Sequence, residues 1–196
     1  MKKLLVTFLA VTVALVLYSC DKKVNAPAAP EQPKVEQPST PSVSTVVEKK
    51  LGTELGKAPE YEVTLLDGSK LSSKSLAGKI VVIDFWATWC GPCRMEIPWF
   101  INLYKKYKDQ NVVILGISLD RAGKTVVEKF CKDTSVNYPI AIDENQVVTN
   151  AFGKIFGQIS GIPTTFVIDQ AGMVRSKHVG VTQEAQFDSE ISALLK

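Results

Sequence analysis

The chain has 196 residues, 45% of them apolar, and 23 Lys and Arg against 20 Asp and Glu give a net charge of +3. Loss of Lys2 and Lys3 with a cleaved leader would leave +1 (3 − 2), too weak a field to specify nucleic acid. Four cysteines and one histidine show no second ligand pair at metal-binding spacing, so no metal or cofactor is expected.

Residues 1–19 read as a signal peptide of lipoprotein type. Lys2-Lys3 is a short positive region, and Leu4 to Leu17 is an uncharged apolar stretch, shorter than the roughly 20 residues a membrane span needs. Leu17-Tyr-Ser-Cys20 resembles a bacterial lipoprotein cleavage box, with Cys20 as the lipidated first residue of the mature chain; the bulky Tyr18 departs from that pattern. An uncleaved signal anchor, with Cys20 incidental, is the alternative. Either arrangement holds the following domain at a membrane and outside the cytoplasm. From residue 20 to 57 the composition turns to Pro27, Pro30, Pro33, Pro38 and Pro41 among Ala, Glu, Gln, Ser and Thr. Such a segment lacks the apolar side chains for a core and is expected to be an extended tether.

Residues 58–196 are long enough for one α/β domain. Glu62 to Leu66 reads as a strand, turning at Asp67-Gly68 toward Lys70-Leu71. Ile80 to Phe85 is apolar and β-branched throughout, as in a strand buried on both faces, and Val112 to Ser118 is a second. The helix between them runs to Tyr107 and makes a parallel βαβ unit, with Pro98 expected to kink it. Thr125 to Lys132 and Gln146 to Phe152 read as short helices around a short strand, Ile140 to Ile142. Thr164 to Ile168 and Val174 to Val179 form a hairpin through Asp169-Gln-Ala-Gly172. Thr182 is placed to cap a last helix ending near Leu195.

Cys90-Gly91-Pro92-Cys93 stands where the first buried strand ends and its helix opens. A Cys-x-x-Cys there points to redox chemistry, because the first turn of a helix offers unpaired N–H groups and the positive end of the dipole to a thiolate. Cys90, ahead of the helix, is the candidate attacking thiolate, and Cys93, inside it, the resolving thiol. Gly91 lets a partner backbone approach closely. Pro92 suits the first turn, where its missing N–H would be unpaired anyway.

Asp84-Phe-Trp-Ala-Thr-Trp-Cys-Gly-Pro-Cys93 resembles the active-site signature of thioredoxins. With Glu96-Ile-Pro98 and Gly161-Ile-Pro-Thr-Thr-Phe-Val-Ile-Asp169, the chain from about Pro59 onward resembles the membrane-tethered thioredoxin-like thiol:disulfide oxidoreductases of bacterial envelopes, the TlpA/ResA-like group. The resemblance implies a thioredoxin fold with an N-terminal β-hairpin and a central helix–strand insertion at about Asp120 to Gly157, and a redox-active Cys90–Cys93 disulfide. Asp84, six residues before Cys90, occupies the offset of the buried thioredoxin aspartate. Burial there would raise its proton affinity and let it exchange a proton with Cys93. Glu96 matches a buried glutamate of the envelope reductases and, with Asp84, implies coupled titration. Pro163 matches the cis-proline facing the cysteines, and Ile162 before it would offer its backbone to an extended substrate. Trp86 and Trp89 flank the site, Trp89 as a candidate substrate contact. Cys131, beside Val127 and Phe130, reads as an inert thiol buried as a small hydrophobe and His178 as a surface histidine.

Four readings compete. A reductase of protein disulfides, fed by an integral membrane thiol carrier and serving oxidised proteins such as apocytochrome c, is favoured by the resemblance. A disulfide-forming oxidase is disfavoured by the Gly-Pro pair and Ile162. A thiol peroxidase is disfavoured because Ile83 and Ala87 stand where its nucleophile loop needs Pro and Thr. A non-catalytic tethered chaperone would not need both cysteines. A monomer is expected, anchored by its N-terminus with the domain in the periplasm or on the extracytoplasmic face. Asp21 resembles an inner-membrane retention signal.

Overall fold

The computed structural model describes residues 54–196. The leader, Cys20 and the tether up to residue 53 lie outside the described residues. The described residues form β1 (Gly56–Lys57), β2 (Glu62–Thr64), β3 (Lys70–Ser72), β4 (Ile80–Trp86), α1 (Gly91–Tyr107), β5 (Val112–Ser118), α2 (Lys124–Asp133), β6 (Ile140–Ile142), α3 (Val147–Phe156), β7 (Thr164–Ile168), β8 (Met173–Val179) and α4 (Glu184–Leu194). Among them no helix is long and apolar enough to cross a membrane.

The main sheet has the order β1-β8-β7-β4-β5-β6. β4 lies inside it, parallel to β5 and antiparallel to β7. All seven residues of β4 are buried, which is why its sequence is apolar on both faces rather than alternating. Its side chains still alternate in direction. Ile80, Val82 and Trp86 join Ile97, Phe100 and Leu103 of α1 with Phe187 and Ile191 of α4. Val81, Ile83 and Phe85 face Val148 and Phe152 of α3 and the Tyr61 and Val63 side of the hairpin. The result is three layers with a core on each side of the sheet.

The expected hairpin is β2–β3, closed by Asp67, whose Oδ1 accepts from Ser69 N–H at 2.9 Å. Its first strand ends at Thr64 rather than Leu66, because the chain there turns to β6: Leu65 bridges Ala141, and Leu66 N–H donates to Ile140 at 2.9 Å. β1 has no counterpart in the sequence reading. It pairs Gly56 with Val174 and Lys57 with Met173, so the sheet begins two residues before position 58. α1 continues through Pro98 as one helix. α3 runs four residues past Phe152 and stops at Gly157, whose φ of +82° leaves the helical region. Its N-terminus is capped from outside by Asp143, which accepts from Val147 and Thr149 N–H at 2.8 Å each. α4 differs from expectation. Gln183 stands at its N-cap without a side-chain bond, and Thr182 lies one residue too early to cap it, its N–H donating to Glu96 and its Oγ1 directed to the Gly180 carbonyl.

Candidate active site

α1 places the cysteines. Cys90 has extended backbone at the N-cap and its Sγ accepts from Cys93 N–H at 3.2 Å, a bond that would stabilise a Cys90 thiolate once the pair is reduced. The two are joined as a disulfide, with Cα atoms 5.3 Å apart. Cys93 is sealed from solvent and Cys90 keeps 5% exposure. An incoming sulfur can therefore reach Cys90 and not Cys93. Gly91 and Pro92 are exposed beside it. Ile162–Pro163 is a cis peptide, and the Ile162 carbonyl oxygen lies 3.7 Å from Cys90 Sγ. Along the same edge runs an open groove of about 610 Å³ lined by Trp89, Leu119, Arg121, Gln146, Ile159 and Ile162. It has the room and the backbone edge to take an extended chain against the Ile162 segment.

The two tryptophans part company. Trp89 is 70% exposed on the rim, whereas Trp86 is fully buried with its ring 5.3 Å from Phe130. Trp86 therefore belongs to the floor of the site and does not flank it, because β4 alternation sends it inward. Gly116 makes room for it: a Cβ there would stand 2.9 Å from Trp86 Nε1 and 2.5 Å from Ile140 Cδ1.

Both acids are buried. Asp84 points from β4 to the α1 side, with Thr165 Oγ1 at 3.4 Å from Oδ1 and no partner on Oδ2 among the described residues. Burial drives its carboxyl well above the ordinary range, and the neighbouring Glu96 charge adds to this. Glu96 is 1% exposed; it accepts from Thr182 N–H at 2.6 Å, and its Oε2 is without a partner among the described residues. Burial raises it to about 7, against the Thr182 bond and the His178 charge, which lower it. Asp84 and Glu96 are thus two buried acids whose proton affinities are both raised, Glu96 standing three residues after Cys93 on α1.

Sequence reasoning missed one supporting residue. Asp120, 1% exposed, accepts from Thr88 N–H at 2.9 Å, Thr88 Oγ1 at 2.6 Å and Ser118 Oγ at 2.7 Å, and so fixes the turn that delivers Cys90. An aspartate closing the Val112–Ser118 run was the available signal. His178 also departs from expectation. Its side chain is only 17% exposed and meets Glu190 at 3.1 Å, because β8 is covered by α4 on that face. Cys131 is half-buried, and burial pushes its thiol up to about 11, in keeping with an inert role. Among the described residues no group of three His, Cys, Asp or Glu is placed to hold a metal ion.

Residues 56–177 match the AhpC/TSA family model. The chain is 34% identical over 142 residues to the thiol-disulfide oxidoreductase ResA of Bacillus thuringiensis (strain Al Hakam), covering 72% of this chain and 79% of that one. ResA of Bacillus subtilis (strain 168) is 33% identical over 130 residues, 66% of this chain and 69% of its own. Among solved structures, a thioredoxin-family thiol:disulfide interchange protein from Chlorobium tepidum TLS is similar at a TM-score of 0.66 and 34% identity, covering 74% of this chain and 99% of that one.

Proposed function

We propose, for a chain that belongs to the AhpC/TSA family and to the ResA-type thiol-disulfide oxidoreductases of the thioredoxin fold, that its dithiol works as a reductant of protein disulfides outside the cytoplasm. The chain is a thiol:disulfide oxidoreductase through Cys90 and Cys93. The reductive direction is supported by the apolar Ile162 before cis-Pro163, whose carbonyl oxygen lies 3.7 Å from Cys90 Sγ, while the two buried acids would serve exchange in either direction.

In the reducing direction the Cys90 thiolate attacks one sulfur of the client disulfide. That S–S bond breaks, the departing client thiolate takes a proton, and a Cys90–client mixed disulfide remains. Cys93 then gives up its proton to the buried carboxyl pair and attacks Cys90 Sγ. The mixed disulfide breaks, the second client sulfur leaves as a thiolate that takes a proton from solvent, and two electrons have passed from the dithiol to the client. A membrane thiol carrier would restore the dithiol by the reverse exchange. Apocytochrome c, with its paired haem-attachment cysteines, is the proposed client. The N-terminal lipid on Cys20, or an uncleaved anchor in its place, would keep donor and client within reach.

The test is directional. The reduced protein is mixed with a disulfide-closed C-x-x-C-H peptide, and the oxidised protein with the same peptide as a dithiol. The proposal expects electrons to pass to the peptide in the first mixture and little transfer in the second. Predominant oxidation of the peptide dithiol would make this chain a disulfide donor instead.

A further inference from the structure

Three adjacent strands bring Asp84, Thr165 and His178 into one row. The register pairs Asp84 with Thr165 and Thr165 with His178. Residues directly opposite one another share a face of the sheet, so all three stand on the side covered by α1 and α4. His178 closes the row on α4, where its Nε2 lies 3.1 Å from Glu190 Oε2 and its ring stands edge-on to Phe187 at 5.2 Å. Glu190 is built to hold a charge: Ser176 Oγ donates to Oε2 at 2.5 Å and Gln186 Nε2 to Oε1 at 2.6 Å. Burial opposes the charge, yet the bonds from His178, Ser176 and Gln186 hold its carboxyl below the ordinary range. Glu96 enters the same space from α1, tied to Thr182 only four residues beyond His178.

We propose that His178, seated on Glu190 and in line with Thr165 and Asp84, is a positioning residue for thiol–disulfide exchange that sets the charge against which Glu96 holds its proton. Glu190 meets His178 from α4, Asp84 lies in its register row two strands away with neutral Thr165 between, and Glu96 of α1 is held by Thr182 four residues further along the chain. Arg175 and Lys177 of its own strand turn to the other face, Arg175 toward Asp169 at 3.2 Å and Lys177 over the Phe166 ring. A protonated imidazole in this position favours the Glu96 carboxylate, and a neutral side chain leaves Glu96 to hold its proton to higher pH. The role is the same whichever way electrons flow.

The experiment follows the Glu96 carboxyl by carbon NMR in the full-length reduced chain, with its resonance identified by its loss in Glu96→Gln. In His178→Gln, which keeps an amide able to bond Glu190, the midpoint should move upward by about half a pH unit or more. His178→Lys, which keeps a cation, should bring it back toward the wild-type value. The pH profile of exchange should move in the same sense in both. An unchanged midpoint in His178→Gln, or the same shift in both variants, would overturn the proposal. Should either variant fail to fold, the wild-type protein still decides. A through-space NMR contact between the His178 ring protons and the Glu96 side chain must be present in it, and its absence would equally overturn the assignment.

Discussion

Glu96→Gln removes a buried charge while leaving an oxygen where Thr182 N–H donates at 2.6 Å. Unfolded, Glu96 gives up its proton near 4.5, and folded near 7, a displacement of 2.5 (7 − 4.5) with burial as its main cause. At 1.36 kcal/mol per pH unit this amounts to about 3 kcal/mol. The folded-state value is raised above the unfolded one in an acid, so ionisation favours the unfolded chain. The wild-type protein carries none of this penalty below pH about 4.5, accumulates it as the pH rises, and carries all of it above about 7. Subtracting the wild-type stability from that of the variant isolates the effect, since the other carboxyls largely cancel. Asp84 does not cancel fully: it is repelled by Glu96 and is relieved in the variant, so the curve belongs to the pair and bends the same way. The assay is urea unfolding of the oxidised proteins, in which Cys90 and Cys93 do not titrate, from pH 4 to 8.5. The stability advantage of the variant should grow by about 3 kcal/mol across the window. A flat difference curve, or one that falls with pH, would refute the buried-acid reasoning.

Cys93→Ser should trap a stable mixed disulfide between Cys90 and a client peptide, visible by mass spectrometry, whereas Cys90→Ser should form none; the reverse pattern would invert the assigned roles. Asp120→Ala leaves Thr88 and Ser118 without a buried acceptor and should lower stability by about 2–4 kcal/mol in urea unfolding, with slower exchange from a loosened Cys90 turn. Gly116→Ala drives a methyl to 2.9 Å from Trp86 Nε1 and should cost about 1–3 kcal/mol, with a changed Trp86 fluorescence as the local marker.

The sequence was most legible where local pattern and global fold agree. β4 and β5 are apolar on both faces because both faces are covered, and the Cys-x-x-Cys between them needs only the helix start to acquire its chemistry. Asp84 and Glu96 could be read as buried from their offsets, since the strand and helix periods fix the face each takes. What escaped depends on partners far along the chain. β1 is two residues long and exists only through β8. Thr182 looked like a cap, but the helix opens one residue later at Gln183, and Thr182 instead donates its N–H to Glu96, 86 residues away. His178 looked like a surface residue because its strand alternates weakly, and only α4 folding over it supplies Glu190. Asp120 reads as a loop residue until Thr88, 32 residues earlier, is brought to it. Trp86 and Trp89 are three residues apart and take opposite fates because the strand ends between them.

The central claim is that the Cys90–Cys93 pair reduces protein disulfides, and the equilibrium reduction potential of that disulfide tests it most directly. Glutathione or dithiothreitol buffers, applied to the chain from residue 54 onward so that β1 is kept, would give the value. A reductant should show a potential near or below that of thioredoxin, around −270 mV. A value near −120 mV, where strong disulfide donors lie, would contradict that role.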